Sequence, residues 1–172
     1  MNTLDAIYSR RSIRKFTEET VSDEQVQILM KAAMAAPSAT NEQAWRFVII
    51  RDKNTMNSIQ EFHPFASMLA TANLVIAVLG DLTEEHHPGY WPLDTSAATQ
   101  NLLLAAHELG LGAVWLGVYP RDERMRAVSE LLELPEEYPP LCLIPIGHPA
   151  EEKMSVDRFN PEKVHLERFT QE

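Results

Sequence analysis

The sequence predicts a domain of helices and strands in which a central four-stranded sheet lies between helical layers. Four short apolar runs have the length and composition of buried strands, and stretches with helical apolar spacing separate them. The chain has 172 residues, enough to bury a sizeable core, and it contains neither an internal repeat nor a low-complexity linker. We therefore expect residues 1–172 to form a single domain.

Helical spacing and capping residues predict where each helix begins and ends. The first helix is expected over residues 4–9, with Thr3 as its cap. Ser22 and Gln25 have the spacing of a capping box and begin a second helix, which should end before Pro37. Further helices are predicted over residues 54–62, 94–109 and 120–132, and Gly110 is the expected C-terminal cap of the longest.

The four strands are predicted over residues 47–50, 73–80, 113–117 and 141–147. The run Leu-Val-Ile-Ala-Val-Leu at residues 74–79 is typical of a strand that is buried on both faces. Residues 81–92 are polar and include Pro88 and Gly89, so no regular structure is expected there. From Glu151 onward the chain is charged and has no core-sized apolar face, which makes this stretch a candidate for reaching a partner subunit.

Composition excludes several classes of partner. The formal net charge is −10, which disfavours nucleic acid and anionic membranes as general partners. The only cysteine, Cys142, lies in an apolar run, which favours a buried, inert thiol over a nucleophile. One cysteine, a start without a signal-peptide pattern and no apolar stretch of roughly 20 residues predict a cytoplasmic protein without a membrane span.

Positive charge is concentrated in one segment near the start of this acidic chain. Arg10, Arg11, Arg14 and Lys15 supply four of the fifteen basic residues, and Ser12 adds a hydroxyl among them. The arginine fork suits a phosphate or a carbonyl-rich ring edge, whereas a solvated charge run is an equal alternative on this segment alone. Because both common glycine-rich phosphate loops are missing from the sequence, side chains would have to hold any phosphate.

Two further segments have the chemistry of a polar ligand site. They are the loop 37–43, with Pro37, Ser38, Asn41 and Gln43, and the end of the third predicted strand, with Trp115, Leu116 and Gly117. Hydroxyl and amide groups in the loop can surround a polar cofactor, and a glycine at a strand end lets the backbone approach a flat ligand. Taken alone, each segment is better explained as an ordinary turn or an ordinary strand end.

The polar segment before the longest helix carries adjacent histidines and aromatic residues. The run Glu-Glu-His-His at residues 84–87 suggests a metal, but adjacent residues rarely share one coordination sphere and no His-x-x-x-His spacing is present. We therefore predict no metal site at His86 and His87. Tyr90 and Trp91 are candidates for stacking on an aromatic substrate, with side-chain packing as the stronger alternative.

Five motifs, taken in order, resemble the nitroreductase family of flavoenzymes over nearly the whole chain. They are Ser-Arg-Arg-Ser-Ile-Arg-Lys-Phe at 9–16, Ala-Pro-Ser-Ala-Thr-Asn-Glu-Gln-Ala-Trp at 36–45, Asp-x-x-Ala-Ala-x-x-Asn at 94–101, Glu-Leu-Gly-Leu-Gly-Ala-Val-Trp-Leu-Gly at 108–117, and Pro-Ile-Gly-His-Pro at 145–149 followed by Arg158-Phe159. The chain departs from the common pattern at Ala44, where many relatives have proline. It also lacks the long helical insertion of larger members, so the substrate class does not carry over with the motifs.

The resemblance implies an α+β nitroreductase-like flavoprotein fold and a homodimer with two FMN sites at its interface. The partner subunit is then a candidate donor of one further strand to the four-stranded sheet. By position, FMN would be held from one subunit by Arg10, Arg11, Ser12, Arg14 and Arg158, and from the other by Pro37, Ser38, Asn41 and Gln43. Arg14 would meet the pyrimidine edge of the ring, and backbone at Trp115, Leu116 and Gly117 would lie against the ring near flavin N5.

The implied activity is transfer of hydride from NADPH or NADH through flavin N5 to a nitroaromatic, a quinone or a similar small-molecule acceptor, in ping-pong order. No side chain is assigned as a catalytic acid, base or nucleophile. The alternatives are a non-catalytic module that binds or stores FMN, a specialised flavin enzyme such as a reductive dehalogenase, and a flavin-free dimer whose basic segment binds another phosphate ligand.

Overall fold

The computed structural model describes residues 2–169, and in this range it contains five α-helices and five β-strands. The helices are α1 (Thr3–Ser9), α2 (Asp23–Met34), α3 (Lys53–Phe62), α4 (Trp91–Glu108) and α5 (Asp122–Leu131). The strands are β1 (Trp45–Ile50), β2 (Leu74–Gly80), β3 (Gly112–Ala113), β4 (Leu116–Gly117) and β5 (Pro140–Gly147). Short 3-10 helices occupy Ala39–Asn41, Ser67–Ala70 and Pro161–Lys163.

All the strands pair antiparallel in one sheet of order β1-β2-β5-β3, and β4 also pairs with β5. The predicted α+β class is confirmed. The expected third strand is divided in two, because β3 pairs as far as Ala113 with Ile146 and β4 resumes in the same register at Leu116 with Leu143. Pro145 lies in this interval on β5, and a proline has no N–H to donate to a neighbouring strand.

Helical layers cover both faces of the sheet, as the sequence predicts. On one face, Leu74, Ile76 and Val78 of β2 pack in a core with residues of α2 and α4. On the other face, Val75, Ala77 and Leu79 pack in a second core with residues of α3 and α5. The whole of β2 is buried, so its uninterrupted apolar run reflects contact with two cores rather than one.

Four helix starts differ from expectation by one to three residues, and α5 begins at Asp122 rather than at Pro120. The cap of α1 is Asn2 rather than Thr3, because the Asn2 side chain accepts from the Asp5 amide (3.0 Å). Helix α4 begins at Trp91, so the expectation of irregular structure to residue 92 is wrong at its end. A proline fits the first turn of a helix, and the Glu85 carboxylate accepts from the Trp91 amide (2.8 Å). The capping box at Ser22 is confirmed.

Cys142 lies in the centre of β5 and is completely buried, as predicted. Burial raises the pKa of its thiol to about 12, so the thiolate needed for nucleophilic attack is not available near neutral pH.

The last described part of the chain, residues 151–169, is here called the C-terminal arm. Apart from the 3-10 turn Pro161–Lys163 it has no regular secondary structure, and it exposes large apolar side chains: Met154, Val156, Phe159, Val164, Leu166 and Phe169. Exposed apolar groups in this number are typical of a segment that is covered by another surface. Within residues 2–169, no helix has the length and apolar character needed to cross a membrane.

Candidate functional site

The basic segment, residues 10–15, runs along the edge of the sheet beside β3. Ser12 forms a parallel bridge with Ala113, and the Ile13 amide donates to the Ala113 carbonyl (3.0 Å). Gly112 makes this approach possible, since a Cβ at that position would lie 2.6 Å from the Ile13 side chain. The sequence therefore brings the basic residues next to Trp115, Leu116 and Gly117 through a contact that depends on one glycine.

A cavity of about 350 Å³, here called the β4 cavity, opens at this junction. Its lining includes Arg14 and all three predicted strand-end residues, together with His63, Phe65 and Ser67. A Cβ built on Gly117 meets no heavy atom within 4 Å, so the glycine presents an open face. The structure thus brings together Arg14, Trp115, Leu116 and Gly117 as the resemblance predicts.

Three arginines at the start of the basic segment and on the C-terminal arm repel one another. Burial, followed by the charges of Arg158 and Arg11, lowers the pKa of Arg10. Arg11 donates to the Met154 carbonyl, and none of the ion pairs found within residues 2–169 involves these three arginines. A half-buried arginine that two further cations repel favours an anion such as a phosphate.

The arm is also tied to the basic segment by polar contacts that sequence reasoning did not find. Glu151 accepts from the Arg14 amide (2.5 Å) and pairs with Lys153 (3.1 Å), and Lys153 donates to the Ser12 carbonyl (2.8 Å). The contacts with Arg14 and Ser12 join residues about 140 positions apart along the chain. They hold the backbone of the basic segment.

The loop 37–43 has a backbone that few residues adopt without support. Thr40, Asn41 and Gln43 all have positive φ angles, of 46°, 62° and 55°. A β-branched threonine in this region is an outlier, and each such residue costs on the order of 1–3 kcal/mol. Strain of this kind collects at functional sites, and here it occurs in the loop that carries Pro37, Ser38, Asn41 and Gln43.

Hydrogen bonds inside and around this loop hold it in place. The Ser38 hydroxyl accepts from the Gln43 amide (2.9 Å), and the Asn41 side chain accepts from Nε2 of Gln43 (3.2 Å). Asp94, in the first turn of α4, accepts from the Ala39 amide (2.9 Å). The predicted loop residues therefore lie together, and a hydrogen bond to the first turn of α4 supports the loop.

Glu42 links the loop to the segment before α4. Its carboxylate accepts from Nδ1 of His87 (2.5 Å), from the His86 amide (3.0 Å) and from the Thr40 hydroxyl (2.8 Å). These bonds, with that of His87 the largest, lower the pKa of Glu42 to about 2. The two histidines thus serve as donors to one carboxylate that supports the strained loop.

The loop and the basic segment lie at opposite ends of α4. Asp94 in the first turn contacts the loop, whereas His107 in the last turn contacts Ser9 beside the basic segment (2.7 Å). At 1.5 Å per residue these positions are roughly 20 Å apart along the helix. Within one chain, therefore, the loop lies roughly 20 Å along α4 from the start of the basic segment.

The two candidate substrate residues have different environments. Tyr90 is 49% exposed at the start of α4, whereas Trp91 is buried and stacks edge-on against Tyr119 at 5.1 Å between centroids. Trp91 also lies against Gly80, where a Cβ would come within 2.6 Å of its ring. Burial favours the packing alternative for Trp91 and leaves Tyr90 as a substrate-contact prediction.

Comparison with known proteins assigns this fold and sequence to one family. The family model described as the nitroreductase family matches residues 7–73 and 58–148, and the chain belongs to this family. A protein of Methanothermobacter thermautotrophicus is 43% identical over 98% of this chain and 88% of its own length. One of Archaeoglobus fulgidus is 45% identical over 96% of this chain and 98% of its own. Both are provisionally named NADH dehydrogenase/NAD(P)H nitroreductase.

Solved structures are similar over the same extent. A Parabacteroides distasonis protein with the same provisional name superposes with a TM-score of 0.94 at 39% identity, covering 98% of this chain and 100% of that one. A provisionally named nitroreductase of Desulfovibrio desulfuricans, solved in complex with FMN, has a TM-score of 0.84 at 35% identity and covers 99% of each chain. The predicted family and fold are confirmed.

Proposed function

We propose that this protein is an FMN-dependent oxidoreductase that takes hydride from NADPH or NADH and delivers it to nitroaromatic, quinone or similar small-molecule acceptors. One observation carries the proposal: Arg14 of the basic segment and the open face of Gly117 line the same cavity. The names of the relatives and the FMN complex of the Desulfovibrio desulfuricans protein support the same reaction class.

The residues present fit a planar cofactor that carries a phosphate. The β4 cavity, at about 350 Å³, is within the usual size of small-molecule sites, and the missing Cβ of Gly117 leaves space for a flat ring. Arg10, Arg11 and Arg158 provide the positive charge that a phosphate needs, and binding one would relieve their mutual repulsion. These features support FMN over a ligand without phosphate.

Each predicted residue has a defined task in this proposal. Arg10, Arg11 and Ser12, with Arg158 from the arm, hold the phosphate and ribityl chain. Arg14 faces the pyrimidine edge, where its charge stabilises the negative charge that reduction adds to the ring. FMN, when bound, supplies the redox chemistry by accepting hydride and passing it on. The backbone at Trp115, Leu116 and Gly117 orients the ring, and no side chain is assigned a proton transfer.

The site is completed by a second copy of the chain, and this homodimer is part of the proposal. Its support is the separation of roughly 20 Å between the loop 37–43 and the basic segment, together with the exposed apolar residues of the C-terminal arm. Pro37, Ser38, Asn41 and Gln43 of one subunit then face the arginines of the other. A cytoplasmic location belongs to the same proposal and agrees with a single, buried cysteine.

Mixing two defective subunits tests the shared site directly. Arg10→Met removes a phosphate contact from one half, and Asn41→Asp puts a negative charge in the other half while keeping a residue type that tolerates positive φ. A mixed dimer of the two variants has one site with both defects and one intact site, so FMN binding should return to about half of the wild-type stoichiometry. Sites formed within one chain would show no such recovery.

The proposed reaction is tested by recording the visible spectrum of the protein supplied with FMN, and then adding NADPH and NADH separately without oxygen. A bound flavin band that bleaches and returns on addition of a nitroaromatic or a quinone is the expected result. A band that neither nicotinamide bleaches would instead indicate a binding or storage module. Preference for halogenated phenols over nitrofurazone-type acceptors would indicate a dehalogenase, and absence of bound flavin would contradict the proposal.

A further inference from the structure

The wall of the β4 cavity has polar supports to which the proposed function gives no role. The carbonyl oxygen of Gly117 accepts from Nε2 of His63 (3.0 Å) and from Nη1 of Arg124 (3.0 Å). A carbonyl oxygen has two lone pairs, so these two donors fill its capacity. The other end of the same peptide is also held, because the Val118 amide donates to the Leu141 carbonyl (3.1 Å).

His63 is suited to this contact because its two ring nitrogens have different partners. Nε2 faces a carbonyl and must carry the proton, whereas Nδ1 accepts from the Phe65 amide (3.3 Å). Both contacts require the same neutral tautomer, and burial, together with the charge of Arg124, lowers the pKa of His63. A histidine that is only 2% exposed is thus held in one orientation by the backbone on either side.

The same two side chains also hold the rim of the cavity. Phe65, which lines the cavity and is 66% exposed, has its amide bound to His63 and its ring beneath the Arg124 guanidinium (5.7 Å to the centroid). Arg124 lies on α5, so it connects this helix with β4 and with the segment after α3. His63 and Arg124 therefore link one wall of the cavity to its rim.

We propose that His63 and Arg124 are positioning residues that hold Gly117 and Phe65 in the arrangement that accepts the ring of FMN, an inference that rests on the proposed function. Glycine has the freest backbone of any residue, so a glycine wall is ordered only if its neighbours order it. Without these donors, binding the ring must also fix the peptide after Gly117 and the Phe65 rim, and this lowers affinity. Neither side chain needs to touch the cofactor for this effect.

Paired variants separate this role from general packing. His63→Leu and Arg124→Met remove the donors, whereas His63→Gln and Arg124→Lys keep a donor at about the same reach. Loss of one hydrogen bond to the wall predicts FMN affinity roughly tenfold weaker, and each conservative variant should recover to within about twofold of wild type. Arg126→Met is the matched control, since Arg126 lies on the same helix, is exposed and carries the same charge.

Amide hydrogen exchange of the FMN-free protein provides a second readout that does not depend on flavin. The amides of Phe65 and Val118 should exchange roughly tenfold faster in His63→Leu and Arg124→Met than in wild type, and at the wild-type rate in Arg126→Met. If His63→Leu does not fold, Arg124→Met tests the inference by itself, because Arg124 is only partly buried on the surface of α5 and its replacement should leave the fold intact.

Two results would overturn the inference. One is FMN affinity within twofold of wild type in a folded Arg124→Met protein whose two amides exchange at the wild-type rate. The other is failure of both conservative variants to restore affinity, which would make the role one of packing. Should wild-type protein bind no FMN, the proposed function fails, and the exchange rates still report whether the two side chains order the wall.

Discussion

The loop 37–43, at the first turn of α4, is fixed by hydrogen bonds from its own chain. The basic segment, at the last turn of α4, carries closely spaced cations that have few partners. Glu42 and Asp94 each accept from the loop or its neighbours, and these bonds offset the cost of three left-handed residues. Near the last turn, Arg10 is half-buried beside Arg11 and Arg158. The loop is thus held in its conformation before any ligand binds. The free energy of the basic segment, in contrast, falls when an anion binds.

The largest effect that separates the two regions is expected from Arg10→Met. Loss of charge-assisted hydrogen bonds to a phosphate predicts FMN affinity roughly a hundredfold weaker. The Tm of the FMN-free protein should rise or stay the same, because a repelled cation is removed while the apolar stem is kept. Titration of FMN and thermal unfolding measure the two quantities, with Arg126→Met as control. A fall in Tm with unchanged FMN affinity would mean that Arg10 stabilises the fold and does not bind the phosphate.

Gly117→Ala is expected to have the next largest effect. The added methyl group enters open space, so the FMN-free protein should keep its Tm, while the filled approach to the ring weakens FMN affinity roughly tenfold. Gly112→Ala is the contrasting control, since its Cβ would lie 2.6 Å from the Ile13 side chain and should lower Tm. Equal FMN affinity in Gly117→Ala and wild type would mean that the open face of the glycine does not receive the ring.

Arg14→Ala should have a smaller effect that appears in the redox potential. Removal of a positive charge from the pyrimidine edge destabilises the reduced cofactor, so the midpoint potential should fall by roughly 20 mV, equivalent to about 1 kcal/mol for a two-electron couple. Spectroelectrochemical titration measures this shift, and FMN affinity is recorded in parallel. If neither quantity changed, Arg14 would not face the ring.

The smallest expected effect is that of Glu42→Gln, and it depends on pH. The folded-state pKa of Glu42 is about 2, below its ordinary value of 4.5, so its contribution to stability is present above that ordinary value and is lost as pH falls toward 2. The variant should have a lower Tm than wild type at neutral pH, and this difference should close as the solution is acidified. Glu130→Gln, an exposed change on α5, should show no such closing.

The sequence predicts those features that depend on local pattern. The apolar run of β2 reveals burial on both faces, and the spacing from Ser22 to Gln25 reveals a capping box, because each signal is contained in a few consecutive residues. Similarly, the motifs at 9–16 and 108–117 identify residues that the structure places around one cavity.

Features that depend on distant partners were not predictable in the same way. The break between β3 and β4 lies opposite Pro145, about thirty residues further on, and the start of α4 at Trp91 depends on a carboxylate six residues before it. His63 carries no motif, and its partners are backbone groups at Gly117 and Phe65. The sequence signal for this arrangement can be recognised only once the structure is known: a histidine and a phenylalanine flank a proline just after α3.

The buried position of Cys142 has a practical consequence for measuring the arm. Because this thiol is the chain's only one, is fully enclosed in β5 and has a pKa of about 12, thiol-reactive labels should leave wild-type protein unmodified. A single introduced cysteine, such as Ser155→Cys on the exposed arm, then carries the sole spin label of each subunit. The native protein therefore allows electron paramagnetic distance measurement between the two arms of the proposed homodimer, without any background mutation.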